Sequence, residues 1–94
     1  MGQNAEISQQ ALSRLRWRCR RGLLENELII NHWLNAHAGS ITHEQADALT
    51  SLLDLPDNDL LDLLLRRTVP QGALATPAVL VLLRDLQRSN VTTN

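Results

Sequence analysis

The sequence predicts an all-α fold, a single small five-helix bundle domain, and three observations carry that expectation. Twenty of the 94 residues are leucine and only Trp17 and Trp33 are aromatic, a composition that suits interlocking aliphatic helices and lacks the aromatic residues that sheets enrich. Apolar residues recur at helical spacing in five segments, each bounded by a glycine, a proline or a capping residue. A chain of this length buries only about 60 to 65% of its unfolded surface, enough for one core and not two.

The first helix is expected from Ser8 to Arg21, with Ala11, Leu12, Leu15 and Cys19 on one arc and Gly22 at the left-handed C′ position. The second runs from Leu23 to Ala38. It carries Ile29, Ile30, Trp33 and Leu34 on its inner face, Glu25 and Glu27 in the first turn where carboxylates complement the helix dipole, and Gly39 as its stop. A capping box of Thr42 and Gln45 opens the third, which buries Ala46, Leu49, Leu52 and Leu53 and ends before Pro56. Asp57, Asn58 and Asp59 signal the start of a short fourth helix, which holds Leu60, Leu61, Leu63, Leu64 and Leu65 and closes on Arg66 and Arg67. VPQGALATP, residues 69–77, reads as a loop, with Thr76 and Pro77 as cap and first residue of a fifth helix that runs to Arg88. Its VLVLL run also fits a buried strand, but Leu82, Leu83 and Leu86 extend the helical spacing from Val79 and no partner strand exists elsewhere. The resulting organisation is a flexible N-terminus over residues 1–7, a helical domain over 8–88 and a flexible tail over 89–94.

The formal charge of −1 conceals an uneven layout. Arg14, Arg16, Arg18, Arg20 and Arg21 stand together with no acid among them, and Glu44, Asp47, Asp54, Asp57, Asp59 and Asp62 all precede the next base, Arg66. Cys19 is the single cysteine, so no internal disulfide forms and a reducing, cytoplasmic setting is expected. MGQNAEISQQ is too polar for a secretory signal, and the uncharged run 68–83 is interrupted by Pro70, Gly72 and Pro77, short of the roughly 20 apolar residues a membrane helix needs.

The segment RWRCRRGLLENE, residues 16–27, holds the candidate functional residues. At about 100° per residue, Trp17 points almost directly away from the Leu15 and Cys19 arc, framed by Arg14, Arg20 and Arg21. One reading is a surface ring stacked under Arg21, or packed on a further element; the other is a recognition surface, because Trp and Arg are enriched at binding hot spots. Glu25 stands four residues after Arg21, and a local ion pair accounts for that spacing. It leaves unexplained why Gly22 lies between the two charges, offering bare backbone for close approach by another protein.

The run CRRGLLEN, Cys19 to Asn26, resembles the small FAD assembly factors of succinate dehydrogenase, called SdhE in bacteria, which have mitochondrial counterparts. The family's R-G-x-x-E falls on Arg21, Gly22 and Glu25, with a Trp two residues before the Cys. DNDLLDLLLRR at 57–67 and VLLRDLQ at 81–87 lie at family-like distances, so the similarity extends from about Leu15 to Gln87. Glu27 stands where an Asp is common in bacterial relatives, and Leu63 replaces an aromatic often found in helix four. The resemblance implies an assembly factor that binds the flavoprotein subunit of succinate dehydrogenase, and of the related fumarate reductase, and promotes covalent attachment of FAD to a histidine of that subunit. It also implies a contact motif of Arg21, Gly22 and Glu25, with Arg20 and Trp17 adjoining, and no cofactor held stably by the chain itself.

The alternatives are a nucleic-acid-binding helix and a general helical adaptor. An arginine-rich helix with an aromatic suits phosphates and base stacking, but the acids that follow, with Glu25 and Glu27 beside the patch, oppose that reading. No glycine-rich phosphate loop or nucleophile–base motif points to an enzyme, and His32, His37, His43 and Cys19 match no common zinc spacing. A monomer without bound metal, nucleic acid or membrane insertion is expected.

Overall fold

Ser8 begins the architecture. Its hydroxyl accepts from the backbone N–H of Ala11 at 3.1 Å and opens α1, Gln9–Arg18, in a computed structural model that describes residues 6–20 and 23–91. Four further helices follow, α2 over Leu24–His37, α3 over His43–Leu53, α4 over Asp57–Leu64 and α5 over Pro77–Val91, with a 3₁₀ turn at Gly72–Leu74 between the last two. The fold is all-α, and among the described residues the only β pairing is an isolated bridge between Glu6 and Thr42. Ile7 reinforces that bridge by donating its N–H to the Ile41 carbonyl at 2.9 Å. Residues 6 and 7 are therefore docked on the bundle, although they fall in the stretch expected to be flexible.

The α5 helix is the hub, packing against α2, α3 and α4. Val79, Leu82, Leu83 and Leu86, the positions that the helical period selects, are all buried. Thr76 and Pro77 start the helix as expected, the Thr76 hydroxyl accepting from the Val79 N–H at 3.2 Å. The far end runs to Val91, three residues past the predicted Arg88. From α2 the core receives Ile29, Ile30, Trp33 and Leu34, and from α3 Ala48, Leu49, Leu52 and Leu53. Ala46, expected inside, only edges this core, and Ala48 takes the inner place instead. The capping box at Thr42 and Gln45 is complete, and Gly39 takes φ +90 just beyond α2, a conformation that suits glycine.

Other helix ends also depart from expectation, among them the C-terminal end of α4, which stops at Leu64 instead of closing on Arg66 and Arg67. The α1 helix stops at Arg18, with Cys19 as its C-cap, instead of running to Arg21 with Gly22 at C′. Cys19 is fully buried, and its N–H is shared between the Leu15 and Arg16 carbonyls, so the chain tightens there to turn the thiol into the core. In α4, Pro56 occupies the N-cap, Asp57 is already the first helical residue, and no side chain caps the start. Leu60, Leu63 and Leu64 are buried, while Leu61 and Leu65 are only half-buried. Among the described residues no helix is long and apolar enough to cross a membrane.

Candidate partner-binding corner

Leu15 and Cys19 lie four residues apart and both face inward, so α1 is pinned by one side, and Trp17, half a turn round, projects outward. The indole is 70% exposed. An exposure of that size removes the reading in which it packs on another element of this chain. The Arg20 guanidinium carbon sits 5.6 Å from the centre of its ring, a cation–π distance worth about 0.5 to 1 kcal/mol at the surface. Arg20 follows Trp17 by three residues, a spacing that puts the two side chains side by side, and its N–H donates to the Trp17 carbonyl at 3.1 Å. The sequence reading gave the stacking position to Arg21; Arg20 fills it among the described residues, and Arg21 and Gly22 lie outside them.

The neighbouring arginines have different tasks. Arg16 donates to the Asn35 side-chain oxygen at 2.7 Å, and Arg18 pairs with the Asp54 carboxylate at 2.7 Å. One reaches α2 and the other the end of α3, so the two tether α1 on both flanks. Both contacts are exposed, and each contributes under about 1 kcal/mol. Arg14 and Arg20 are left exposed, Arg20 over the indole.

On the second helix, Glu25 is exposed in the first turn, where its carboxylate complements the dipole of a helix that has no side-chain cap at Leu23. The expected Arg21–Glu25 pair falls on a residue outside the described ones. Next to Glu25, Asn26 is completely buried; its amide donates to the Asp57 carbonyl at 2.9 Å and ties the start of α2 to the start of α4. The Asn26 side-chain oxygen has no hydrogen-bond partner among the described residues. That tie sets where Glu25 stands.

Leu24 and Leu28 are also exposed, each 60%, one turn apart on α2 and near Glu25 in sequence. Sequence reasoning missed both. The signal was present, since they lie opposite the Ile29, Ile30, Trp33 and Leu34 arc on the same period, but a leucine in a leucine-rich chain reads as core. Trp17, Leu24 and Leu28 are apolar side chains exposed on the segment that also carries Arg20 and Glu25, a composition matching the aromatic and Arg-enriched centres of protein interfaces.

His37 stacks on the buried Trp33 at 4.6 Å between ring centres, and a ring nitrogen lies 2.9 Å from the Trp33 carbonyl, so it serves helix α2 itself. Among the described residues no three His, Cys, Asp or Glu side chains gather where a metal would sit.

Residues 13–87 match the family model described as "Flavinator of succinate dehydrogenase". Among curated proteins, the chain is 52% identical over 67 residues to the FAD assembly factor SdhE of Ralstonia nicotianae, covering 71% of this chain and 70% of that one. It is 33% identical over 63 residues to the FAD assembly factor SdhE of Coxiella burnetii, covering 67% and 77%. With the protein of the same description from Legionella pneumophila the identity is 34% over 62 residues, covering 66% and 78%. No solved structure matches the chain.

Proposed function

Because the chain belongs to the family described as flavinator of succinate dehydrogenase, we propose that it is a FAD assembly factor. In this reading it binds the flavoprotein subunit of succinate dehydrogenase, and of the related fumarate reductase, and promotes covalent attachment of FAD there without being an enzyme itself. The observation that carries the reading on this chain is the exposed Trp17 under Arg20, an aromatic ring held outward by two buried neighbours and unused by the core. Arg21, Gly22 and Glu25 form the contact motif, and Leu24 and Leu28 add apolar area beside it.

The work of such a protein is positional. Docking a rigid helical corner against the client holds its domains in the arrangement where the flavin and its attachment residue meet, and positioning of this kind lowers a barrier by several kcal/mol without a reacting atom from the helper. The chain's own contribution is the geometry of the corner. Cys19 and Leu15 fix the ring outward, and Asn26 fixes the turn that carries Glu25. The commitment of Arg16 and Arg18 to Asn35 and Asp54 supports this reading over one in which the arginine run follows phosphates.

The test is in-gel flavin fluorescence of the client subunit in cells that lack this protein and are supplied with variants of it. Wild type restores the fluorescent band; Trp17→Ala, Gly22→Arg and Glu25→Ala, each retaining helical circular dichroism, restore less. Full fluorescence with all three folded variants removes the corner from the function.

A further inference from the structure

A second surface, sharing no residue with the Trp17 corner, lies where the α4–α5 connection crosses α5. Val69, Pro70, Ala75 and Leu80 line a groove of about 440 Å³. Val69 and Leu80 are 69% and 44% exposed, large aliphatic side chains that the core leaves outside. Arg66 and Arg84 line the same groove, and no acidic residue does. Neither guanidinium has an ion-pair or hydrogen-bond partner among the described residues, whereas the adjacent Arg67 pairs with Asp62 at 3.3 Å. The groove is also held in shape, since the side-chain amide of Gln87 on α5 donates to the Leu63 carbonyl on α4 at 2.9 Å.

The backbone adds a second, independent sign. Arg66 has φ +65, the one left-handed non-glycine residue among those described, at a helix end where glycine is the unstrained choice. Local strain held at a surface position is a mark of use when the side chain it presents has no internal task.

We propose that this groove docks an acidic, aliphatic-anchored segment of the flavoprotein client, as a second contact beside the Trp17 corner. The proposal rests on the client reading above and extends it. A leucine, isoleucine or valine of the partner fills the Val69–Leu80 floor, and flanking Asp or Glu carboxylates meet the planar forks of Arg66 and Arg84, which suit bidentate pairing. Nucleic acid fits less well, because the floor offers no ring for a base to stack on; the chain's two aromatic residues are Trp17 and Trp33 and neither lines it. A two-fold pairing of identical grooves sets guanidinium against guanidinium, which disfavours a second copy as the occupant.

The experiment measures binding of the full chain to the purified flavoprotein subunit by biolayer interferometry at low and high salt, with thermal melting of each variant. Arg66→Gly is the discriminating change: it relieves the backbone and deletes the fork, so it is expected to melt higher than wild type and bind about three- to ten-fold more weakly. Reversal of both charges, Arg66→Glu with Arg84→Glu, is expected to weaken binding by more than about ten-fold and to flatten its salt dependence. If both variants fold and bind like wild type while Trp17→Ala binds weakly, the groove plays no part and the corner alone stands. Sedimentation in which wild type self-associates and the double reversal does not, with client binding unchanged, assigns the groove to a second copy and overturns the proposal. Failure of the wild-type chain to bind the subunit at all overturns the client reading, and the groove's role with it.

Discussion

At Arg66 a single residue shows how local rules and function pull apart. The Arg67 N–H donates to the Asp62 carbonyl at 2.8 Å and the Arg66 N–H to the Leu63 carbonyl at 3.1 Å, the paired bonds of a Schellman ending with Arg66 at C′. A left-handed arginine costs about 1 to 2 kcal/mol, partly offset by the greater chain entropy a glycine loses on folding. Arg66→Gly is therefore expected to stabilise the fold by about 0.5 to 1 kcal/mol, read as a midpoint a few degrees higher in a thermal scan. Asn26 is the opposite case. Its side chain is fully buried and hydrogen-bonds the Asp57 carbonyl, so Asn26→Ala is expected to cost about 1 to 3 kcal/mol in urea denaturation, and to reduce client flavinylation by loosening the turn that carries Glu25.

The helices differ in where their stability comes from. The α3 helix is locally specified: Thr42 accepts from the Gln45 N–H at 3.1 Å while the Gln45 side chain accepts from the Thr42 N–H at 3.0 Å. Thr42→Ala is expected to cost about 0.5 to 2 kcal/mol, measurable by urea titration, because the first turn then loses its side-chain acceptor. The α2 and α4 helices have no such cap and rely on each other through Asn26 and Asp57. Between α4 and α5, the connection is more ordered than its glycine and prolines suggest. Leu74 in the 3₁₀ turn packs against the core and the Thr76 cap follows, so the groove wall is fixed at both ends.

For the molecule as a whole, one core made almost entirely of aliphatic side chains decides stability. Leu86 is fully buried on the helix that touches three others. Leu86→Ala is expected to cost about 2 to 5 kcal/mol, a large part of the roughly 5 to 15 kcal/mol typical of a domain. Val81 on the same helix is 61% exposed, and Val81→Ala is expected to change stability by no more than about 0.5 kcal/mol. Parallel urea titrations of the two variants check this; equal midpoints contradict the packing described. The same core buries Cys19 completely, so a thiol reagent is expected to label the native protein far more slowly than the urea-unfolded chain.

Read alone, the sequence specifies the five helices, the stop at Gly39, the start at Thr76–Pro77, most of the inner residues and the outward aim of Trp17. Each of these follows from spacing or chemistry within a few residues, and the helical period carries that information locally. The fold placed the end of α1 at Arg18, with Cys19 as a fully buried C-cap whose N–H is shared between the Leu15 and Arg16 carbonyls. It also decided that Arg16 and Arg18 become tethers, that Asn26 is an internal tie and that Gln87 holds the groove against α4. Those partners lie 19, 36, 31 and 24 residues away along the chain, and no local rule reaches across such distances.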